Sequence, residues 1–125
     1  MMNTDMSKEE TRKIVSYEGR RKAKLWAEEP PHCIFCGIEL SKSVRAYTFI
    51  DLAHLIRKSN TSTKWSRLEL FTMDENNGLA HRECHEIWDN NPKLIVTLHR
   101  HKECLKTIKR IDEDIYNQFM MNIEK

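Results

Sequence analysis

Apolar residues fall in short, unevenly spaced groups along this chain, and their spacing predicts helices at both ends with strands between them. Ser7 and Glu10 form a capping-box signature. From there to about Ala27 the chain holds no Pro and only Gly19, while Ile14, Tyr17, Leu25 and Trp26 make an intermittent apolar stripe. The pattern predicts one long helix, ended by Pro30-Pro31. From Val44 to Ile56 the density of β-branched, aromatic and aliphatic side chains predicts a strand, or two with a bend, carrying His54. Residues 57–75 read as a polar loop, and Asn77-Gly78 as a turn that lets Leu79-Ala80 pair back as a short strand. A helix follows from about Arg82 to Trp88, with Cys84, Ile87 and Trp88 on its inner side. Asn91-Pro92 has the form of an N-cap with Pro at the first helical position, opening a helix through about Cys104. Asp112 caps a last helix in which Ile115, Phe119 and Ile123 recur every four residues.

Composition narrows the class. The 125 residues fit one domain, divided into an N-terminal helix (1–30), a central segment (31–90) and C-terminal helices (91–125). With 32% of residues charged the core must be modest, and a structural metal would help it. A net charge of +2 does not mark a nucleic-acid binder by itself, though it is compatible with basic residues grouped on one face. The cluster Arg20, Arg21, Lys22 and Lys24 reads first as a solvated helix face. No apolar run approaches the roughly 20 residues of a membrane span, and the N-terminus lacks the apolar stretch of a signal peptide. A soluble, cytoplasmic protein is expected.

In a reducing compartment, the four cysteines point to metal binding before disulfides. Cys33-x2-Cys36-Gly37 has the form of a zinc knuckle. A thioredoxin-like redox site would need a strand before the motif and a helix opening on it, whereas Pro30-Pro31 precedes it and Gly37 follows. The second pair of ligands is His81-x2-Cys84, with His101-x2-Cys104 repeating the spacing as an alternative. The segment 37–80 between the pairs is much longer than the roughly 15–20 residues of a simple ribbon, so the zinc would clasp a larger unit. In the polar loop Arg57, Lys58, Lys64 and Arg67, with several hydroxyls, suit phosphate contacts, while Trp65 reads either as part of that surface or as a plug holding the loop to the core.

Taken together, Leu52-Ala53-His54-Leu55-Ile56-Arg57-Lys58-Ser59, then Asn76 or Asn77, then His81-x2-Cys84-His85 resemble the His-Asn-His (HNH) endonucleases, specifically the subgroup braced by a zinc. The likeness covers about Cys33 to Asp89 and lies in the combination of motifs. It implies an α+β fold with a small ββα-metal (His-Me finger) core, a structural zinc on Cys33, Cys36, His81 and Cys84, and flanking helices. It also implies that His54 acts as general base, that His85 is a ligand of a catalytic Mg²⁺ or other divalent ion, and that Asn76 orients the His54 loop or helps hold that ion. Asn77 is the fallback. Ala53 occupies a position where many relatives carry a ligand, which leaves Asp51 as the nearest carboxylate. The implied activity is hydrolysis of DNA phosphodiester bonds, most simply in a duplex, in a phage or mobile-element setting among others. A dimer through the C-terminal helices is compatible with the pattern. The competing expectation is a non-catalytic zinc module that binds nucleic acid or a protein partner on the same scaffold.

Overall fold

The computed structural model describes residues 7–28, 31–40, 50–57 and 60–124, and combines helices with a two-stranded antiparallel sheet. Helix α1 spans Lys8–Trp26 and begins as the capping box requires: Ser7 Oγ accepts the Glu10 N–H at 3.1 Å, and Glu10 Oε1 accepts the Ser7 N–H at 3.3 Å. Strand β1 is Ile50–His54, and the expected strand residues 44–49 lie outside the described residues.

Strand β2, Asn77–His81, pairs with β1 in the register Ile50↔His81, Leu52↔Leu79 and His54↔Asn77. The expected return of Leu79-Ala80 onto the His54 strand is therefore present, but Asn77-Gly78 is not its turn. Both residues lie inside β2, and Asn77 is extended (φ −146°). Gly78 serves a different need. A Cβ there would stand 2.0 Å from Ile34 Cγ2, because the Cys33–Cys36 knuckle is pressed against β2 by the bond from Ile34 N–H to the Leu79 carbonyl (2.8 Å).

The connection between the strands is also more ordered than a polar loop. Ser66 and Glu69 make a second capping box, opening helix α2 at Arg67–Phe71, and a 3₁₀ turn at Asp74–Asn76 leads into β2. The S-x-x-E signature was legible in the sequence; what buries this short helix is Leu70 and Phe71 on its inner face. Trp65 acts as the plug: it packs on the core and its Nε1–H donates to the Ile111 carbonyl at 2.8 Å.

Helix α3 covers Arg82–Asn90, directly after β2. The single helix expected from Asn91 to Cys104 is instead a 3₁₀ segment, Pro92–Thr97, then a break, then α4 at His101–Ile111. Asn91 makes no side-chain cap, and Arg100 in the break donates its N–H to the Phe35 carbonyl at 2.8 Å, tying the knuckle to the start of α4. Asp112 does cap the last helix, α5 (Glu113–Glu124), through Oδ1 to the N–H groups of Asp114 and Ile115. Trp88 joins these layers. It stacks on Phe35 at 4.9 Å, meets Phe119 at 5.6 Å, and donates Nε1–H to the Leu55 carbonyl at 3.0 Å. No helix among the described residues is long and apolar enough to cross a membrane.

Candidate functional site: a thiol-imidazole cluster beside a histidine cleft

Two groups of polar side chains lie on either side of the β1–β2–α3 unit. In the first, Cys33, Cys36, His81 and Cys84 bring one ligand atom each to within 4.8 Å of one another. The knuckle turn makes this possible on one side: Gly37 takes a positive φ of 77°, its N–H reaches back to the Cys33 carbonyl at 2.9 Å, and Cys33 N–H bonds to Ile38 at 3.0 Å. On the other side His81 ends β2 and Cys84 lies in the first turn of α3, so their three-residue spacing bends both inward. Cys36 Sγ is 3.4 Å from His81 Nδ1.

Tetrahedral ligands at about 2.3 Å from zinc have sulfurs about 3.8 Å apart, so a small contraction of this cluster would close around an ion. The set could hold a metal such as zinc, and its donor chemistry fits one. Burial and then the neighbouring thiols drive the Cys84 pKa far up, and burial also raises that of Cys36. A cation would relieve this crowding by taking the place of the protons. The rival pair takes no part. Cys104 is buried with its thiol donating to the Ile34 carbonyl at 3.3 Å, burial pushes its pKa up to about 12, and His101 Nδ1 lies 2.8 Å from the Leu98 carbonyl. Cys104 is a free thiol, as expected, and an unreactive one. His32, bridged to Glu39 across the knuckle, is also outside the cluster.

The second group surrounds a cleft of about 260 Å³ lined by Glu18, Leu52, His54, Arg57, His85 and Asp89. His54, at the end of β1, is buried with its ring edge-on to Phe71 at 5.4 Å. Its Nε2 lies 3.2 Å from Glu18 Oε2 of α1. Asn76 is fully buried and fastens the chain just beyond His54. Its Oδ1 accepts the Ile56 N–H at 2.7 Å, its Nδ2 donates to the Ile56 and Leu70 carbonyls, and its own carbonyl accepts the Leu55 N–H. Of the two roles weighed for Asn76, this geometry serves orientation. Asn77, the fallback, is turned to α1 instead, bonding Tyr17 and Arg21.

His85 projects from α3 between two carboxylates, with Nδ1 3.0 Å from Asp51 Oδ2 and Nε2 3.0 Å from Asp89 Oδ2. The bond to Asp89 raises the His85 pKa to about 9; Asp51 adds to the effect and burial opposes it. Burial works to raise the Asp51 pKa, but the bonds from His85 and from Arg82 at 3.2 Å outweigh it and hold the carboxyl below its usual range. Asp51 thus reaches His85, on the nitrogen away from Asp89. It is not among the residues lining the cleft, whereas Asp89 is. Because the carboxylates take opposite nitrogens, the three groups do not converge on one point, and among the described residues only the Cys3His set does so.

Asp89 and Glu18 were missed by the sequence reading. Asp89 follows His85 by one helical turn and would have stood out had α3 been carried past Trp88. Glu18 carried no signal, since it meets His54 only through tertiary packing. Of the basic residues assigned to phosphate, Arg57 is half-buried, donating Nη1–H to the Asp89 carbonyl at 2.7 Å with its guanidinium 4.5 Å over the Phe119 ring, and burial lowers its pKa. Lys64 is exposed, 5.5 Å over the Trp65 ring, and Arg67 is half-buried at the start of α2. Lys58 lies outside the described residues. The chain matches no protein-family model, no curated protein and no solved structure.

Proposed function

We propose that this chain is a zinc-braced, divalent-metal-dependent endonuclease of the His-Asn-His type, with a ββα-metal core formed by β1, β2 and α3, acting on DNA. The observation that carries the proposal is the common cleft of His54 and His85, backed by Asn76 behind the His54 loop. Three residues far apart in the chain serve one cavity, at the junction of a hairpin and a helix. In this reading Cys33, Cys36, His81 and Cys84 hold a structural zinc that clamps the knuckle to α3.

His54 takes the proton of a water molecule so that the oxygen can attack phosphorus, the role an imidazole suits near neutral pH. The bond between phosphorus and the 3′ oxygen then breaks. His85 and Asp89, which share the cleft and are one helical turn apart, would hold the divalent ion, while Asp51 keeps the His85 ring oriented through Nδ1. This differs from Asp51 as a direct ligand, and it makes Ala53 less of a loss. The proton on His85 Nε2 in the metal-free state stands where a cation would, so the residues fit the group once that proton leaves. A bound Mg²⁺ or similar ion would supply charge stabilisation to the phosphorane-like transition state and the departing oxygen. Arg57, fixed by Phe119 and the Asp89 carbonyl at the cleft wall, offers a cation to the phosphate, and Lys64 and Arg67 extend the basic surface toward the duplex.

A second reading, a non-catalytic zinc module that binds nucleic acid or a protein, is favoured by one observation: His85 already has carboxylates on both nitrogens. Plasmid nicking with Mg²⁺ or Mn²⁺, with and without chelator, separates the two. The enzyme reading expects wild type to nick and His54→Ala to lose at least about a hundredfold in rate. If wild type and the variant both leave supercoiled plasmid intact across metals and salts, the module is the correct reading. Labelled RNA in the same assay tests whether the substrate is RNA.

A further inference from the structure

We infer that Glu18 of α1 is a positioning residue for His54, holding the imidazole in the tautomer that keeps the lone pair on Nδ1. The inference deepens the proposed reaction and rests on His54 as its general base. Helix α1 lies outside the hairpin-helix unit, yet it is latched onto the residue paired with His54. Asn77, the register partner of His54, donates to the Tyr17 hydroxyl at 2.8 Å and accepts from Arg21 Nε at 2.9 Å. Tyr17 also donates to Asp74 Oδ1, and Arg21 Nη2 reaches the Asp74 carbonyl. Residues 17 and 21 are one helical turn apart, so Glu18 beside them is delivered to the cleft by a fixed lever.

Glu18 Oε2 stands 3.2 Å from His54 Nε2, with only 9% of the histidine side chain and 22% of the glutamate exposed. The ring N–H does not point straight at that oxygen, and a small rotation of the glutamate closes the angle. The edge-on ring of Phe71 limits the imidazole's freedom to turn away. A carboxylate only accepts hydrogen bonds, so the neutral imidazole facing it carries its hydrogen on Nε2 and keeps the lone pair on Nδ1. When Nδ1 takes the proton from water, the ring becomes an imidazolium with Glu18 beside it, and Glu18 itself gains no proton. The other charged groups lining the cleft are Arg57, His85 and Asp89. His85 has its own two carboxylates, and Arg57 is fixed by the Asp89 carbonyl and Phe119, so Glu18 is the carboxylate left to serve His54.

The test has two parts on the full, zinc-loaded chain. In wild type without added magnesium, ¹⁵N imidazole shifts of neutral His54 should show a protonated Nε2 and an unprotonated Nδ1. The opposite tautomer, or an even mixture, overturns the inference, and this measurement needs neither activity nor a variant that folds. In the nicking assay Glu18→Gln and Glu18→Ala should lower kcat about ten- to hundredfold with KM for plasmid unchanged. A kcat equal to wild type overturns the inference, and so does a higher one, which would make Glu18 a shield over His54. Absence of nicking in wild type would instead sink the nuclease reading and leave the tautomer result to judge the contact.

Discussion

Asn76 and Ile56 hold each other through both sides of one amide: Asn76 Oδ1 accepts the Ile56 N–H at 2.7 Å, and Asn76 Nδ2 donates to the Ile56 carbonyl at 3.3 Å. The side chain thereby acts as a short extra strand for backbone that has just left β1. Asn76→Ala would leave buried peptide groups without partners, at about 1–3 kcal/mol for each. A loss of about 2–4 kcal/mol in urea unfolding, with zinc retained, is expected. A cost under about 0.5 kcal/mol would mean that the loop beyond His54 does not depend on Asn76.

The Cys3His cluster predicts about one zinc per chain by metal analysis. Removing it with a strong chelator should unfold the β1–β2–α3 region, because the knuckle and α3 would lose their shared anchor. Cys84→Ser should abolish stoichiometric zinc, while His101→Ala and Cys104→Ser keep it. Zinc retained by Cys84→Ser and lost in His101→Ala would reverse the ligand assignment.

Gly78 has a neighbour rather than a turn as its reason. A methyl group there would overlap Ile34 at 2.0 Å, so Gly78→Ala should destabilise by about 1–3 kcal/mol or more. Shortening the partner with Ile34→Ala should recover a measurable part of that loss in a double-mutant cycle. If the two substitutions simply add, the knuckle does not press on β2 as described.

His85 links charge to pH. With its pKa raised to about 9 by Asp89 and then Asp51, above the ordinary imidazole value near 6.5, the folded metal-free protein binds the proton more tightly than the unfolded chain does. The stabilisation is fully present below about pH 6.5 and disappears as pH rises through about 9. An NMR titration of the zinc-loaded protein without magnesium should find the His85 midpoint near 9. Saturating Mn²⁺ or Mg²⁺ should lower the apparent midpoint, since a cation and a proton compete for the ring. A midpoint at or below 7 in the metal-free cleft would refute the two-carboxylate arrangement.

What the sequence determined by itself is the local chemistry. Ser7 with Glu10 and Asp112 announce helix starts because a cap acts within one turn. Cys33-x2-Cys36 and His81-x2-Cys84 announce half-sites because a three-residue spacing turns two ligands the same way. Ser66 with Glu69 was equally legible as a cap. Misreadings came where a local preference yielded to packing. Asn77-Gly78 has the composition of a turn, yet Ile34 needs the space above Gly78 and α1 needs the amide of Asn77, so both were drawn into a strand. The Asn91–Cys104 helix broke because Arg100 was called to the knuckle carbonyl of Phe35. Tertiary structure alone decided that His81 and Cys84, not His101 and Cys104, close the thiol cluster, that Asp51 and Asp89 flank His85, and that Glu18 reaches His54. Such contacts join side chains from separate elements, and their geometry is set by how a buried Trp88 and the knuckle bring those elements together, which no local spacing encodes.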